Sequence, residues 1–352
     1  MSVARRGLVA VVLAALPVAC VFGALLCGRY AVGPAEVAAA LVSGVTGLAA
    51  SVLGALGLPA APVDAGASPE ALTLVLGTRL PRALAAAAVG ASLAVSGAAY
   101  QGVFRNPLVN PGLLGVSNGA GFGAAVAIVA LRGGAAVYPA AFLFGVAAVA
   151  ASWWIARVYR SAPTIMLILG GTVVSSVFAS LVSLLKYVAD PETQLPSIVY
   201  WLMGSLAQVR WDHLWACVPM AAGVAVLIAC AWRIDVLSMG DKEARTLGLS
   251  VGANKAVVVA GATLATAGAV CLAGVVGWVG LVIPHIGRMI VGSANRALLP
   301  ASAALGASFL VVVDTASRCL WASEIPLGIL TALIGAPFFV YLLKRTRAEG
   351  WR

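Results

Sequence analysis

Ten stretches of the chain, at about 7–28, 80–104, 112–131, 138–157, 163–187, 210–231, 254–273, 274–292, 299–321 and 326–344, are apolar runs of helix-forming length. A helix needs roughly 20 apolar residues to cross a bilayer. Backbone groups in lipid must be satisfied within their own segment, so runs of this kind have few folds open to them besides a bundle of spanning helices. Composition agrees. Hydrophobic residues make up 62% of the chain and charged residues 10%, against about 25% charged in soluble domains. The expected fold is an all-α, polytopic membrane protein of about ten transmembrane helices forming a single domain over residues 1–352. The basic start Met1–Arg6 and the apolar Gly7–Leu26 have the order of a secretory leader. The apolar run is longer than a leader's hydrophobic region, so it reads as a retained first span.

One further stretch, Val37–Leu58, is apolar enough to be an eleventh span, and charge decides against it. With ten spans and the N-terminus inside, fifteen of the 22 Lys and Arg residues fall inside (5, 6, 105, 157, 160, 233, 242, 245, 255, 288, 296, 344, 345, 347 and 352). Seven fall outside: 29, 79, 82, 132, 186, 210 and 318. An eleventh span would leave eight inside and fourteen outside, against the bias of cytoplasmic loops toward Lys and Arg. Residues 34–78 are therefore expected on the external side, as an interfacial helix with a Pro/Gly/Ala/Ser-rich loop at Pro59–Pro69. Both termini are expected in the cytoplasm, with the chain in the cytoplasmic membrane.

The chain also repeats itself. Gly90-Ala-Ser-Leu-Ala-Val-Ser-Gly97-Ala-Ala returns 171 residues later as Gly261-Ala-Thr-Leu-Ala-Thr-Ala-Gly268-Ala-Val, with both glycines in register. Each copy is followed by a polar turn, RNPLVNPG in one half and IPHIGR in the other. Span two runs inward and span seven outward in this topology, so spans 2–5 and 7–10 form an inverted repeat. Repeats of this kind place a solute path at their interface. Small residues also recur in any tightly packed membrane bundle, and that reading stays open.

The formal net charge of +10 does not point to nucleic acid, because the basic residues sit in short loops and no basic stripe is interleaved with aromatics. The six cysteines lie in or beside apolar runs without CxxC spacing, and His213 and His285 stand far apart, so no metal site or cofactor is expected. Eleven of the twelve carboxylates fall in loops or at span ends, at 36, 64, 70, 190, 192, 212, 235, 241, 243, 324 and 349. Asp314 lies inside the ninth run, four residues before Arg318, a spacing that puts the two on one helix face as a structural pair. No mid-membrane acid remains to couple an ion gradient. No GxxxxGK[ST] motif is present either, so any ATP must be hydrolysed by another subunit.

A docking surface for such a subunit should be polar, helical and cytoplasmic. The longest cytoplasmic loop, Trp232–Lys255, fits. Gly240 precedes Asp-Lys-Glu-Ala-Arg-Thr-Leu, with Asp241 and Glu243 placed for the helix N-terminal dipole, and Gly248 supplies the stop. A solvated connector would explain the charge but not the bracketing glycines.

The segment Arg79–Gly123 carries the most specific wording. Two arginines flank Pro81, glycines stand at 90 and 97, and a hinge RNPLVNPG follows. Together with DPETQLPSIVYWLMGSL, SMGDKEARTLGLSVG, GWVGLVIPHIGRMIVG, LLPASAALGA and EIPLGILTALIGAPFFVYLLKR, in this order from about Val32 to Leu343, it closely resembles the FecCD family. These are the iron-chelate, haem and cobalamin permeases of ATP-driven importers. The resemblance implies a non-catalytic permease that pairs as a homodimer, binds two ATPase subunits inside and receives substrate from an external binding protein. It also implies roles for particular residues. Arg79, Arg82 and Arg318 match external arginines that receive acids of the binding protein. Gly240, Glu243, Ala244, Arg245 and Gly248 match the ATPase-coupling helix. Pro163 and Thr164 fall at a cytoplasmic gate, and Thr164–Lys186, with Gly170, Gly171, Thr172, Ser175 and Ser176, matches the path-lining helix. Thr193–Leu206 matches a short external helix. The expected function is import of a metal chelate of ferric-siderophore, haem or cobalamin type by alternating access. An oxyanion such as molybdate, an ion-coupled carrier on the same repeat, or a non-transporting scaffold are the alternatives.

Overall fold

Small residues decide which helix sits in the middle. The segment Leu80–Phe104 is largely Ala, Gly and Ser, and 19 of its 25 residues are buried. A β-carbon at Gly90 would overlap the Gly306 carbonyl, and one at Gly97 the Gly280 carbonyl. Neighbouring backbones thus touch this helix directly, the contact that substitutes for hydrophobic driving force between helices in lipid.

The computed structural model describes residues 3–56, 58, 61, 63, 65–131, 133–158 and 164–348, and every regular element among them is helical. In order these are α1 (Val3–Leu26), α2 (Pro34–Ala55), α3 (Pro69–Leu72), α4 (Leu80–Phe104), α5 (Val116–Ala130), α6 (Val137–Arg157), α7 (Thr164–Val188) and α8 (Gln194–Met203). Then come α9 (Cys217–Ala229), α10 (Ala231–Met239), α11 (Asp241–Thr246), α12 (Val251–Ala273), α13 (Val279–Val291), α14 (Asn295–Cys319) and α15 (Leu327–Ala348). A π-helical stretch, Thr73–Arg79, joins α3 to α4 without a break.

Eight helical segments among the described residues are long and apolar enough to cross a membrane, and three shorter apolar helices accompany them. One of the eight is α2. Its place in the bundle agrees with the charge argument. Ser68, which starts α3, donates to the Glu36 carboxylate in the first turn of α2 at 2.8 Å. Arg79, just before α4, donates to the carbonyls of Leu25 and Tyr30, where α1 ends. The chain therefore re-enters the bundle on the side where it left, and α2 adds no net crossing. Setting α2 aside leaves the ten expected spans.

Three spans are shorter than their apolar runs. The run 112–131 divides into a 3₁₀ turn, Pro111–Leu114, and the 15-residue α5, because Gly115 takes a left-handed φ of +88° between them. The run 210–231 divides into Trp211–Ala216 and the 13-residue α9. In the third, helix is not resumed until Val279, after Gly274 at φ +68°. The first and third breaks lie where the halves meet: a β-carbon on Gly280 would press on Pro111.

The ends of the helices show the repeat to be inverted. Arg82 at the start of α4 meets Asp314 near the end of α14 and Glu324 just before α15. At the opposite end, Lys255 near the start of α12 meets Thr164 at the start of α7. The first helices of the two repeats thus enter from opposite ends, and they touch midway, where the Ser96 hydroxyl donates to the Ala262 carbonyl at 3.4 Å. We call the Arg82 end outer and the Lys255 end inner, after the charge topology. A single cysteine at Ala65 is expected to react with an impermeant maleimide from the same membrane side as one at Ala135, and from the side opposite Thr246. A cysteine at the exposed Ala31, just before α2, should label from the same side as one at Ala65, and labelling of 31 and 65 from opposite sides would restore the eleventh span.

Candidate coupling surface and translocation path

At the inner end the polar loop folds as two short helices at an angle. Gly240 separates α10 from α11 with φ +139°, and a β-carbon there would strike the Glu243 carboxylate, which lies over it. The Gly248 N–H bonds to the Arg245 carbonyl and the Leu249 N–H to the Ala244 carbonyl at 2.9 Å, closing α11 with Gly248 left-handed at φ +79°. That is the glycine-dependent stop foreseen from the sequence. Ala244 is fully buried, while Glu243, Arg245 and Leu247 are exposed. One side of α11 is thus fixed to the bundle and the other is open.

Two polar contacts tie this loop to the spans, and neither was foreseen. Asp235 on α10 accepts from the backbone N–H and the side-chain amide of Asn295, at 2.8 and 2.7 Å, and so caps α14. Asp241, expected to serve the helix dipole, forms an ion pair with Lys255 at 2.8 Å. The Lys255 ammonium also donates to the Thr164 hydroxyl at 2.8 Å. Nothing in a sequence marks one lysine among 22 basic residues as buried, so this link was not legible.

The α7 residues divide between two faces. Gly170 and Gly171 were expected as small path walls. Instead they are packing points: their missing β-carbons admit the Ser152 carbonyl of α6 and the Leu113 carbonyl of the 3₁₀ turn. The Ser175 side chain lies beside Gly115. Thr172 and Ser176 are exposed, in a row continued by Ser180 and Ser183 and flanked by exposed Ile165, Leu169, Val173, Val177, Leu184 and Tyr187. Hydroxyls of Thr172, Ser176 and Ser183 donate to carbonyls one turn back, at 2.9–3.0 Å. These donors are therefore already spent on the backbone. Pro163 lies outside the described residues.

At the outer end the three arginines face inward. Arg79, Arg82 and Arg318 are only 3%, 5% and 8% exposed. Arg82 is bidentate to Asp314 and also reaches both oxygens of Glu324, at 2.8–3.0 Å. Arg318 donates to the Ala24 carbonyl at 2.8 Å, and its distance to Asp314 is 3.9 Å, so the i,i+4 pair expected from spacing is the weaker one. The match to docking arginines leads one to expect exposed guanidiniums, and these three are buried. They clasp α1, α4 and α14 instead. Burial pushes the Glu324 carboxyl up, but the hydrogen bond and charge of Arg82 outweigh it and hold it below its ordinary value. Its contribution is therefore present above the unfolded-state pKa and is lost only as pH falls through the lower folded value.

The helix α8 forms one wall of a cleft of about 960 Å³. Tyr138, Tyr200, Trp201 and His213 line it with Gln194, Ser197 and Gln208. The His213 ring stacks on Tyr138 at 4.4 Å. Asp190 sets the turn into α8 by accepting from Glu192 N–H and from the N–H and hydroxyl of Thr193; the Thr193 bonds foremost lower its pKa.

A ten-span bundle with an inverted repeat, a glycine-bracketed inner helix and a broken span at each half is the background for comparison with known proteins. Residues 15–345 match the model of the FecCD transport family. The chain belongs to that family. It is 42% identical over 276 residues to the molybdate import system permease protein MolB of Haemophilus influenzae, covering 77% of this chain and 82% of that one. It is 44% identical over 291 residues to the cobalamin import system permease protein BtuC of Halobacterium salinarum, covering 81% and 77%. A solved structure described as an inward-facing conformation of an ABC transporter assigned to the metal-chelate type superposes with a TM-score of 0.79 at 36% identity, covering 95% of this chain and 97% of that one. This FecCD chain is a multi-pass membrane permease of an ABC importer, and permeases of this kind work with ATP-hydrolysing and substrate-binding subunits. Arg82→Met would leave Asp314 buried without its main cation, which costs about 3–5 kcal/mol. A lowered unfolding midpoint of the detergent-solubilised protein, partly recovered by adding Asp314→Asn, is the expected result.

Proposed function

We propose that this FecCD permease imports a metal chelate of the ferric-siderophore, haem or cobalamin class by alternating access, paired with a second copy of itself. The observation that carries the substrate class is the chemistry of the open surfaces. The outward row on α7 is neutral and hydroxyl-bearing, and His213 is the one titratable side chain besides tyrosine among the described residues of the α8 cleft. A large ring-bearing solute suits aromatic walls and donors already spent on the backbone. An oxyanion calls instead for charged or N–H donors aimed at it. The second reading, an oxyanion such as molybdate, is favoured by the Haemophilus influenzae relative, whose identity is nearly that of the cobalamin permease.

In this reading the exposed side of α11, with Glu243, Arg245 and Leu247, receives the ATPase, and Gly240, Ala244 and Gly248 hold it at the right angle. Thr164, with Pro163 beside it, forms the inner gate. The outward face of α7 lines the path against the second copy. Arg79, Arg82 and Arg318 support the binding protein's landing surface from behind, by fixing the outer ends of α1, α4 and α14. The termini lie in the cytoplasm.

The test is purification of the chain from its native membrane with whatever accompanies it. A stoichiometric ATPase that is lost when Glu243 and Arg245 are both replaced by alanine is expected. Proteoliposomes holding that complex and its binding protein should take up cobalamin, haem or a ferric chelate only with ATP inside. ATP-driven uptake of molybdate alone would select the second reading. Uptake following an ion gradient without ATP would overturn both.

A further inference from the structure

Lys255 is 2% exposed, and its ammonium has two partners from two different elements. Asp241 is the first residue of α11, and Thr164 is the first residue of α7. Both contacts are 2.8 Å. Lys255 itself sits in the second turn of α12, a helix buried along most of its length. An isolated ammonium is costly to bury, and its attraction to one carboxylate roughly offsets that cost at best. A pair of this kind adds little stability, but it fixes the relative positions of whatever carries its partners. The outer end of the bundle has a counterpart, since Arg82 near the start of α4 joins Asp314 to Glu324. There, however, both partners belong to the α14–α15 segment. Only the inner pin joins the loop proposed to meet the ATPase to the helix proposed to line the path.

We propose that Lys255 transmits motion of α11 to the inner end of α7. While both bonds are made, a displacement of Asp241 carries Thr164 with it, because the shared ammonium stands between them and has no solvent to turn into. The contact between Asp235 and Asn295 ties the other end of the loop to α14, so tilting α11 changes the distance between α7 and α14 at the inner mouth. Lys255 is thus a positioning residue that acts through Thr164 and touches no solute. This inference rests on the importer reading, and its test separates the two.

The intact complex, purified with its ATPase and placed in nanodiscs, is given a single reactive cysteine at the exposed Thr246 on α11 or at Leu169 on α7, with the native cysteines replaced. Maleimide labelling rates are compared with and without ATP and vanadate. In the parent complex the rate should change several-fold at both positions. In K255M the ratio at position 246 should persist while that at position 169 falls to unity, with the ATPase still bound. K255R should restore part of the response at 169. T164V, which keeps the ion pair with Asp241, should give the same selective loss, and it stands in if K255M does not fold. A full response at 169 in both K255M and T164V would make Lys255 a structural pin and overturn the inference while leaving the importer reading intact. A parent chain that purifies without any ATPase would overturn the importer reading itself.

Discussion

The close approach of backbones around α4 is the contact on which the rest of the bundle depends. Lipid offers apolar side chains as good a home as a protein interior does, so helices in a membrane are held by packing and polar contacts. Gly90 against Gly306 and Gly97 against Gly280 bring α14 and α13 to backbone distance from α4. Once α4 is enclosed, Arg79 and Arg82 at its outer end cannot stay in water. Each must find its counter-charge or carbonyl inside, and Asp314, Glu324, Leu25 and Tyr30 supply them. The positions of α1, the α14–α15 turn and the external excursion follow from that demand.

The same physics shapes the inner end, with a different outcome. There α12 carries Lys255 into the bundle, and its partners come from α7 and α11, which lie far apart in sequence. The outer clasp closes a helical hairpin against the centre; the inner one joins separate elements. An inverted repeat therefore gives a protein with related ends but unlike duties, one braced and the other able to relay a displacement.

Much of this was legible in the chain. Ten spans, the inverted repeat, the exclusion of α2 from the crossings and the glycine-bracketed helix at Gly240–Gly248 all follow from apolar length, loop charge and residues that tolerate positive φ. Those are local or additive properties, and they survive folding unchanged. The roles of individual side chains survived less well. Gly170 and Gly171 read as open walls, yet they admit the carbonyls of Ser152 and Leu113. A glycine in sequence looks the same whether it faces a pore or a neighbour. Arg82 was assigned to the surface by its loop, and four residues linked Asp314 to Arg318; in the fold Arg82 takes Asp314 from 232 positions away.

The sequence by itself determined the solvent, the number of crossings, the internal repeat and the family, because each rests on hydropathy, residue patterns or wording along the chain. The tertiary structure alone decided which charges are buried, which glycines are contacts and that Lys255 joins Asp241 to Thr164. Those depend on distances between segments far apart in the chain, and in a low-dielectric interior a few ångströms separate a docking cation from an internal clasp.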